Sequence, residues 1–155
     1  MLPTYIAQFV GEFVPLTICH IWLDRKYAGR PVMPSFITTV IAITAMWQFW
    51  WKTPSLDFDD LRLATDDAAS AVIVLALAYM FADMVLLLFF SKSSLHDRVM
   101  FFGHHLFGSS AMVSSLYYGV YSRMVLFYLT SEVTNIFLNG ADLLPPKLVY
   151  VLCTL

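Results

Sequence analysis

The chain has 155 residues, of which 59% are hydrophobic and only 13% charged, with a formal net charge of -2. An ordinary soluble domain is roughly half apolar and a quarter charged, so this composition excludes a water-solvated fold, and the lack of a basic surplus excludes a nucleic-acid partner. The length allows a single domain, residues 1–155, and the two cysteines lack CxxC or Cys/His ligand spacing, which excludes a disulfide scaffold and a zinc site. Cys19 and Cys153 lie in apolar runs and read as buried small hydrophobes.

A helix crossing about 30 Å of hydrocarbon needs about 20 mostly apolar residues. Runs of this kind occupy 4–23, 33–51, 70–91, 99–119 and 123–140, and the sequence therefore predicts an all-α, polytopic transmembrane bundle of five spans. The first run has no positive charge before it, and Arg25 and Lys26 follow it, the wrong order for a cleaved signal peptide. No Arg-rich, Ser-rich transit peptide is present either, so an organelle address is expected to be internal or already removed. A partial sixth run, KLVYVLCTL at 147–155, follows Pro145 and Pro146 and is too short to cross alone. A half-span leaves backbone groups that need protein cover, which leads to an expectation of neighbouring membrane subunits.

Between the second and third runs, TPSLDFDDLRLATDD carries Asp57, Asp59, Asp60, Asp66 and Asp67 and reads as a solvated loop or surface helix. With five spans, Arg25, Lys26, Arg30, Lys92, Arg98 and Lys147 share one side, and Lys52, Arg62 and Arg123 the other, so the first side is expected to be cytoplasmic. Trp22, Trp47, Trp50, Trp51, Tyr117, Tyr118 and Tyr121 fall near span ends, where amphipathic rings favour the membrane interface.

Ionisable groups inside spans are costly and normally face the bundle interior. Span one holds Gln8, Glu12 and His20 around Pro15; a bent helix there could line a cavity, or Gln8 and Glu12 could bond each other or a neighbouring span. Span two offers only Thr38, Thr39 and Thr44, and span three offers Asp83. Span four opens with His104 and His105, whose directions differ by about 100°, so only one faces a shared centre. Its Gly103, Gly108, Ser109, Ser110, Ala111, Ser114, Ser115 and Gly119 form a surface for close helix packing. On span five Tyr128, Glu132, Asn135 and Asn139 recur at intervals of four, three and four, a single helical stripe. Counting from the span ends sets Asp83 level with Glu132, and the histidines level with the stretch from Asn135 to Asn139.

Two readings of this polar set stand side by side. It can be interhelical hydrogen-bond glue, worth about 0.6 kcal/mol per contact on average. It can also be a site, in which an imidazole beside a carboxylate accepts or releases a proton near neutrality. The site candidates are Asp83, His104, His105, Glu132, Asn135 and Asn139 as a polar cavity, with His104, His105 and Glu132 as catalytic candidates and no metal.

AYMFAD at 78–83, HH at 104 and 105 and SEVTNIFLN at 131–139 resemble the TLC-domain membrane proteins. Ceramide synthases of that family carry HH followed, after a fixed gap, by HDxxDxxL. In this register the second block falls on Ser131, Glu132, Asn135 and Leu138, so the carboxylate and leucine are kept and the histidine and aspartate are replaced. The resemblance implies a bundle of about six or seven helices around a lipid-accessible cavity. It also implies a connection with membrane lipid, and, in the synthases, acyl transfer from acyl-CoA to a sphingoid amine.

The replaced positions favour a non-catalytic protein. The sequence reading is an accessory subunit of a larger membrane complex with phospholipid or sphingolipid in its cavity and no other cofactor. A stand-alone lipid-binding or lipid-homeostasis protein is the alternative, and an acyl-CoA-dependent N-acyltransferase the third reading. By resemblance the membrane is the endoplasmic reticulum; as a complex subunit it would be the mitochondrial inner membrane.

Overall fold

The structure, a computed structural model, describes residues 2–26, 32–52, 57–63, 66–90 and 94–131. Those residues form six helices and no strand: α1 (Leu2–Lys26), α2 (Val32–Lys52), α3 (Phe58–Leu63), α4 (Asp67–Phe89), α5 (Leu95–Tyr118) and α6 (Ser122–Thr130). The partial sixth run, Cys153 and the residues Glu132, Asn135 and Asn139 lie outside them.

α4 is the central element, in contact with α1, α2, α5 and α6. Its sequence explains this position. From Ala69 to Met84 almost every turn offers Ala, Val, Ile or Leu on all sides, and a helix that is apolar all round belongs in an interior. Asp66 starts it, with Oδ1 accepting from the Ala69 amide at 2.6 Å. α1 lies along α4, where the edge of Phe9 meets the face of Phe81 at 5.6 Å between centroids. α2 and α6 pack together through Phe49 and Phe127, and Ile41, Ala45, Ile73, Leu126 and Leu129 fill the space they share with α4.

The outside of the bundle is largely apolar, and its apolar core also encloses several polar residues. On α1 the exposed residues Ile6, Val10, Val14, Ile18 and Trp22 recur every four residues along one face. His20, Thr38, Ser70, His105, Ser109, Ser115, Ser122 and Arg123 are buried. Such a distribution suits a hydrocarbon surround. Cys19 is exposed on α1, contrary to its reading as a buried residue, because it lies on the same outward side as Ile18 and Trp22.

Among the described residues two helices are long and apolar enough to cross a membrane, over Pro3–Leu23 and Asp67–Phe89, and α2 adds a shorter apolar stretch, Phe36–Trp51. The five-span count therefore stands only in part. α5 has the length, but it carries Asp97, Arg98, three histidines and four serines, which dilute its apolarity. α6 is described for nine residues.

The α5–α6 hairpin is built by backbone conformation. Gly119 caps α5 in the left-handed region at φ 64°, and Tyr121 opens α6 at the same φ, where a side chain costs about 1–2 kcal/mol. The Tyr121 amide donates to the Arg62 carbonyl of α3 at 2.7 Å, and Ser115 Oγ donates to the Val120 carbonyl at 2.7 Å. These bonds hold the turn in place.

Candidate functional site

Two polar constructions hold the bundle, one at its end and one near its middle. At the end, Arg123 is almost fully buried. Its Nη1 donates to the Gln48 carbonyl of α2 at 2.8 Å, and its Nη2 donates to Asp66 Oδ2. One guanidinium thus joins α6 to the last turns of α2 and to the N-cap of α4. The fork geometry of arginine allows two acceptors in different directions, which a lysine could not reach together. The sequence reading placed Asp66 in a solvated segment and Arg123 among loop charges. Asp66 is exposed, as that reading has it, and serves in addition as a cap and an ion-pair partner, whereas Arg123 is corrected to an interior residue.

Deeper in the bundle, about 20 Å along α5 from the hairpin at 1.5 Å per residue, His105 meets Asp83 of α4. His105 Nε2 and Asp83 Oδ2 are 2.7 Å apart, with the two side chains 10% and 19% exposed. The contact engages one ring nitrogen, Nε2, and leaves the other, Nδ1, out of reach of Asp83. That Nδ1 is enclosed and has no hydrogen-bond partner among the described residues. Tyr79 sets its ring edge-on to His105 at 6.4 Å between centroids and so helps fix the imidazole plane.

His104 is exposed, its ring 5.4 Å from that of His105 and tilted by 59°. Ser131, in the position of the signature histidine, is exposed and donates to the Tyr128 carbonyl of its own helix at 2.6 Å. Glu132, Asn135 and Asn139 lie outside the described residues, and so does the depth match drawn between them and the histidines. On α1, Gln8 Nε2 donates to Glu12 Oε1 at 2.9 Å and to the Ala71 carbonyl of α4 at 3.4 Å, so both partners considered for it are used, and the group joins α1 to α4. No three His, Cys, Asp or Glu side chains among the described residues come together as a metal site.

The inward stripe of α5 consists of His105, Gly108, Ser109, Met112 and Ser115. The other small residues of that helix, Gly103, Ser110, Ala111 and Ser114, are exposed. Ser110 and Ser114 donate to carbonyls one turn back, at 2.8 Å each. The small-residue surface is therefore only partly a packing surface. Below the hairpin α5 lies mainly on α4 and α6 mainly on α2, and between them is an open cavity of about 460 Å³. Its walls are formed by Ala111, Met112, Ser114, Met124, Val125 and Tyr128 among others, with no charged side chain. Gly108 marks its inner end. Residues 108 and 105 are one turn apart on the same face of α5, so the cavity ends about 5 Å along the helix from the Asp83–His105 pair.

Residues 31–145 match the TLC domain. The chain belongs to the TLC domain family. This covers α2 to α6, and so both the Arg123 junction and the Asp83–His105 pair lie within the TLC domain, whereas α1 precedes it. The family is membrane-associated, in agreement with the two long apolar helices. No curated protein and no solved structure matches the chain.

Sequence reasoning expected a cavity but not its place between α5 and α6, and it missed the Arg123 junction. Gly108 had been grouped with the packing glycines, and only its place on the same face as His105 could have set it apart. The signal for Arg123 was an arginine at the start of an apolar run, following a segment rich in aspartate.

Proposed function

We propose that this TLC-domain protein is a polytopic membrane protein that binds a bilayer lipid between α5 and α6. The observation that carries this is the uncharged cavity of about 460 Å³ whose inner end lies one turn from a buried Asp83–His105 pair. A volume of several hundred Å³ is that of an ordinary small-molecule site. Tyr118, Tyr121, Met124 and Tyr128 of its lining are exposed, so the cavity is open at the bundle surface and an acyl chain can enter sideways from the bilayer. The absence of charge on the lining residues favours a hydrocarbon chain over a free anion or cation.

The cavity favours the lipid-binding reading over the accessory subunit. Trp47, Trp50, Trp51, Tyr117, Tyr118 and Tyr121 gather at the end of the bundle where Arg123 meets Asp66, and an interfacial belt accounts for them without a partner. With Arg123 withdrawn into the bundle, that end presents one basic group fewer, in keeping with the opposite end as the cytoplasmic one. Binding requires no turnover, and the His105→Ala variant is expected to leave acyl transfer in reconstituted membranes unchanged.

The test is lipid extraction from the protein purified in mild detergent, followed by mass spectrometry. The protein is expected to retain a lipid in near-stoichiometric amount. Ala111→Phe puts a ring into the cavity from an exposed position and should lower retention about tenfold, the equivalent of about 1.4 kcal/mol. Equal retention by both would rule the cavity out as the binding site.

A further inference from the structure

α1 has the length and apolarity of a span, yet His20 alone of its described side chains is buried, and the helix packs mainly on α4. Phe9, Leu16 and Leu23 turn towards the core, and Gln8 and Glu12 belong to that side as well. The opposite side repeats one device every four residues, a β-branched side chain followed by a compact residue. The pairs are Ile6 with Ala7, Val10 with Gly11, Val14 with Pro15 and Ile18 with Cys19, and Trp22 closes the row. All nine residues are exposed.

Two features separate this face from one that only meets lipid. A Cβ on Gly11 would meet nothing within 4 Å, so no neighbour in its own chain accounts for a residue that weakens a helix relative to alanine. Pro15 lies inside α1 and has no amide hydrogen, and the acceptor four residues back is the Gly11 carbonyl. That carbonyl loses its helical donor at an exposed position, where hydrocarbon offers no other.

We propose that α1 pairs with α1 of a second copy of this chain, with Gly11 at the crossing point. Strict four-residue spacing follows the i, i+4 ridge of a helix, and close packing through small residues on that ridge gives a right-handed crossing of about -40°. Ala7, Gly11 and Pro15 form the trough, and Ile6, Val10 and Val14 form the ridge that enters the trough of the other copy. Both copies share one membrane orientation, so the contact is two-fold and isologous. Close approach brings the Gly11 Cα–H groups of each copy towards the carbonyl that Pro15 leaves in the other, a weak hydrogen bond that lipid tails cannot supply. The exposed area of Ile6, Val10, Val14, Ile18 and Trp22 is on the order of 500 Å² per copy, which reaches the roughly 1,000 Å² that a specific interface buries in total. Between Ile6 and Trp22 the one charged residue, Glu12, is on the other side of the helix. Because lipid tails are as apolar as these side chains, the pairing is reversible, and dilution in lipid returns the face to the bilayer.

The experiment is energy transfer between copies of the full chain fused to donor or acceptor fluorescent proteins, in phosphatidylcholine vesicles at a series of protein-to-lipid ratios. Transfer should rise with protein density and saturate at two copies. Gly11→Ile fills the trough without meeting a neighbour in its own chain, so it should keep the thermal midpoint and weaken association about tenfold. Gly103 of α5 is the matched control. A Cβ there also meets nothing, but Val99 and Phe107 stand four residues to either side and leave no trough, so Gly103→Ile should associate as the unsubstituted chain does. Should Gly11→Ile fail to fold, Ala7→Ile is used in its place with a smaller loss expected, and no loss contradicts the proposal. Absence of density-dependent transfer in the unsubstituted chain means that lipid alone covers α1 and overturns the pairing. Unchanged transfer in a folded Gly11→Ile, or an equal loss in Gly103→Ile, puts the contact elsewhere and overturns it too.

Discussion

The two polar constructions of the bundle differ in what they leave unused. At the belt end Arg123 gives both terminal nitrogens to acceptors on α2 and α4, Asp66 divides its two oxygens between the α4 cap and the guanidinium, and three helices are fixed by the one contact. In the middle His105 and Asp83 join only two helices, and an imidazole nitrogen is left without a described partner next to the floor of a cavity. The first arrangement has the character of a structural clamp. The second combines a link between helices with spare hydrogen-bonding capacity, which is where a binding function can grow. Burial of charge alone thus does not distinguish scaffold from site; partner saturation and adjacent open volume do.

That contrast can be broken by substitution. Arg123→Ala should have the largest effect, because it removes a buried guanidinium that makes two hydrogen bonds and joins three helices; such charge-assisted bonds are worth about 1.5–3 kcal/mol each, the one to the partly exposed Asp66 at the low end. A fall in thermal midpoint measured in detergent checks this, and the folded fraction should retain its lipid. Asp83→Ala comes next: it leaves His105 Nε2 unpaired in an apolar interior, at about 1–3 kcal/mol, and Asp83→Asn, which keeps an acceptor, should lose less. Here the same thermal measurement should be accompanied by a change in bound lipid, and stability loss without that change would make the pair a second clamp. The smallest of the three is Gly119→Ala. Its Cβ meets nothing within 4 Å, so the cost of about 1–2 kcal/mol is that of the left-handed backbone alone, and neither construction should be disturbed.

How far the sequence disclosed this organisation depended on range. The helices were legible because each is a local run of apolar residues, and the stripe from His105 to Ser115 follows from helical periodicity. The family was legible in the residues AYMFAD, HH and SEVTNIFLN. The pairing of Asp83 with His105 was not, since counting residues from span ends gives depth without azimuth, and the count matched Asp83 with Glu132 instead. Asp66 read as one more acid in an acidic segment because its partner is 57 residues away. The place of the expected cavity was invisible for a related reason: it lies where α5 and α6 follow different neighbours, and nothing within either helix states that. Cys19 was misplaced because apolar surroundings in the sequence do not distinguish the protein interior from the lipid.

The central claim is that a lipid chain occupies the space between α5 and α6, and Met112 offers the most direct test of it. This residue lines the cavity yet is only 1% exposed, whereas Val10 and Val14 on α1 face the surrounding bilayer. A fatty-acyl probe bearing a photoactivatable carbene precursor near its terminus, reconstituted with the protein and mapped by peptide mass spectrometry, should label Met112 as strongly as the α1 face or more so, and the Ala111→Phe substitution should abolish the Met112 adduct alone. Labelling of the α1 face with none at Met112 in the unsubstituted protein would contradict the account.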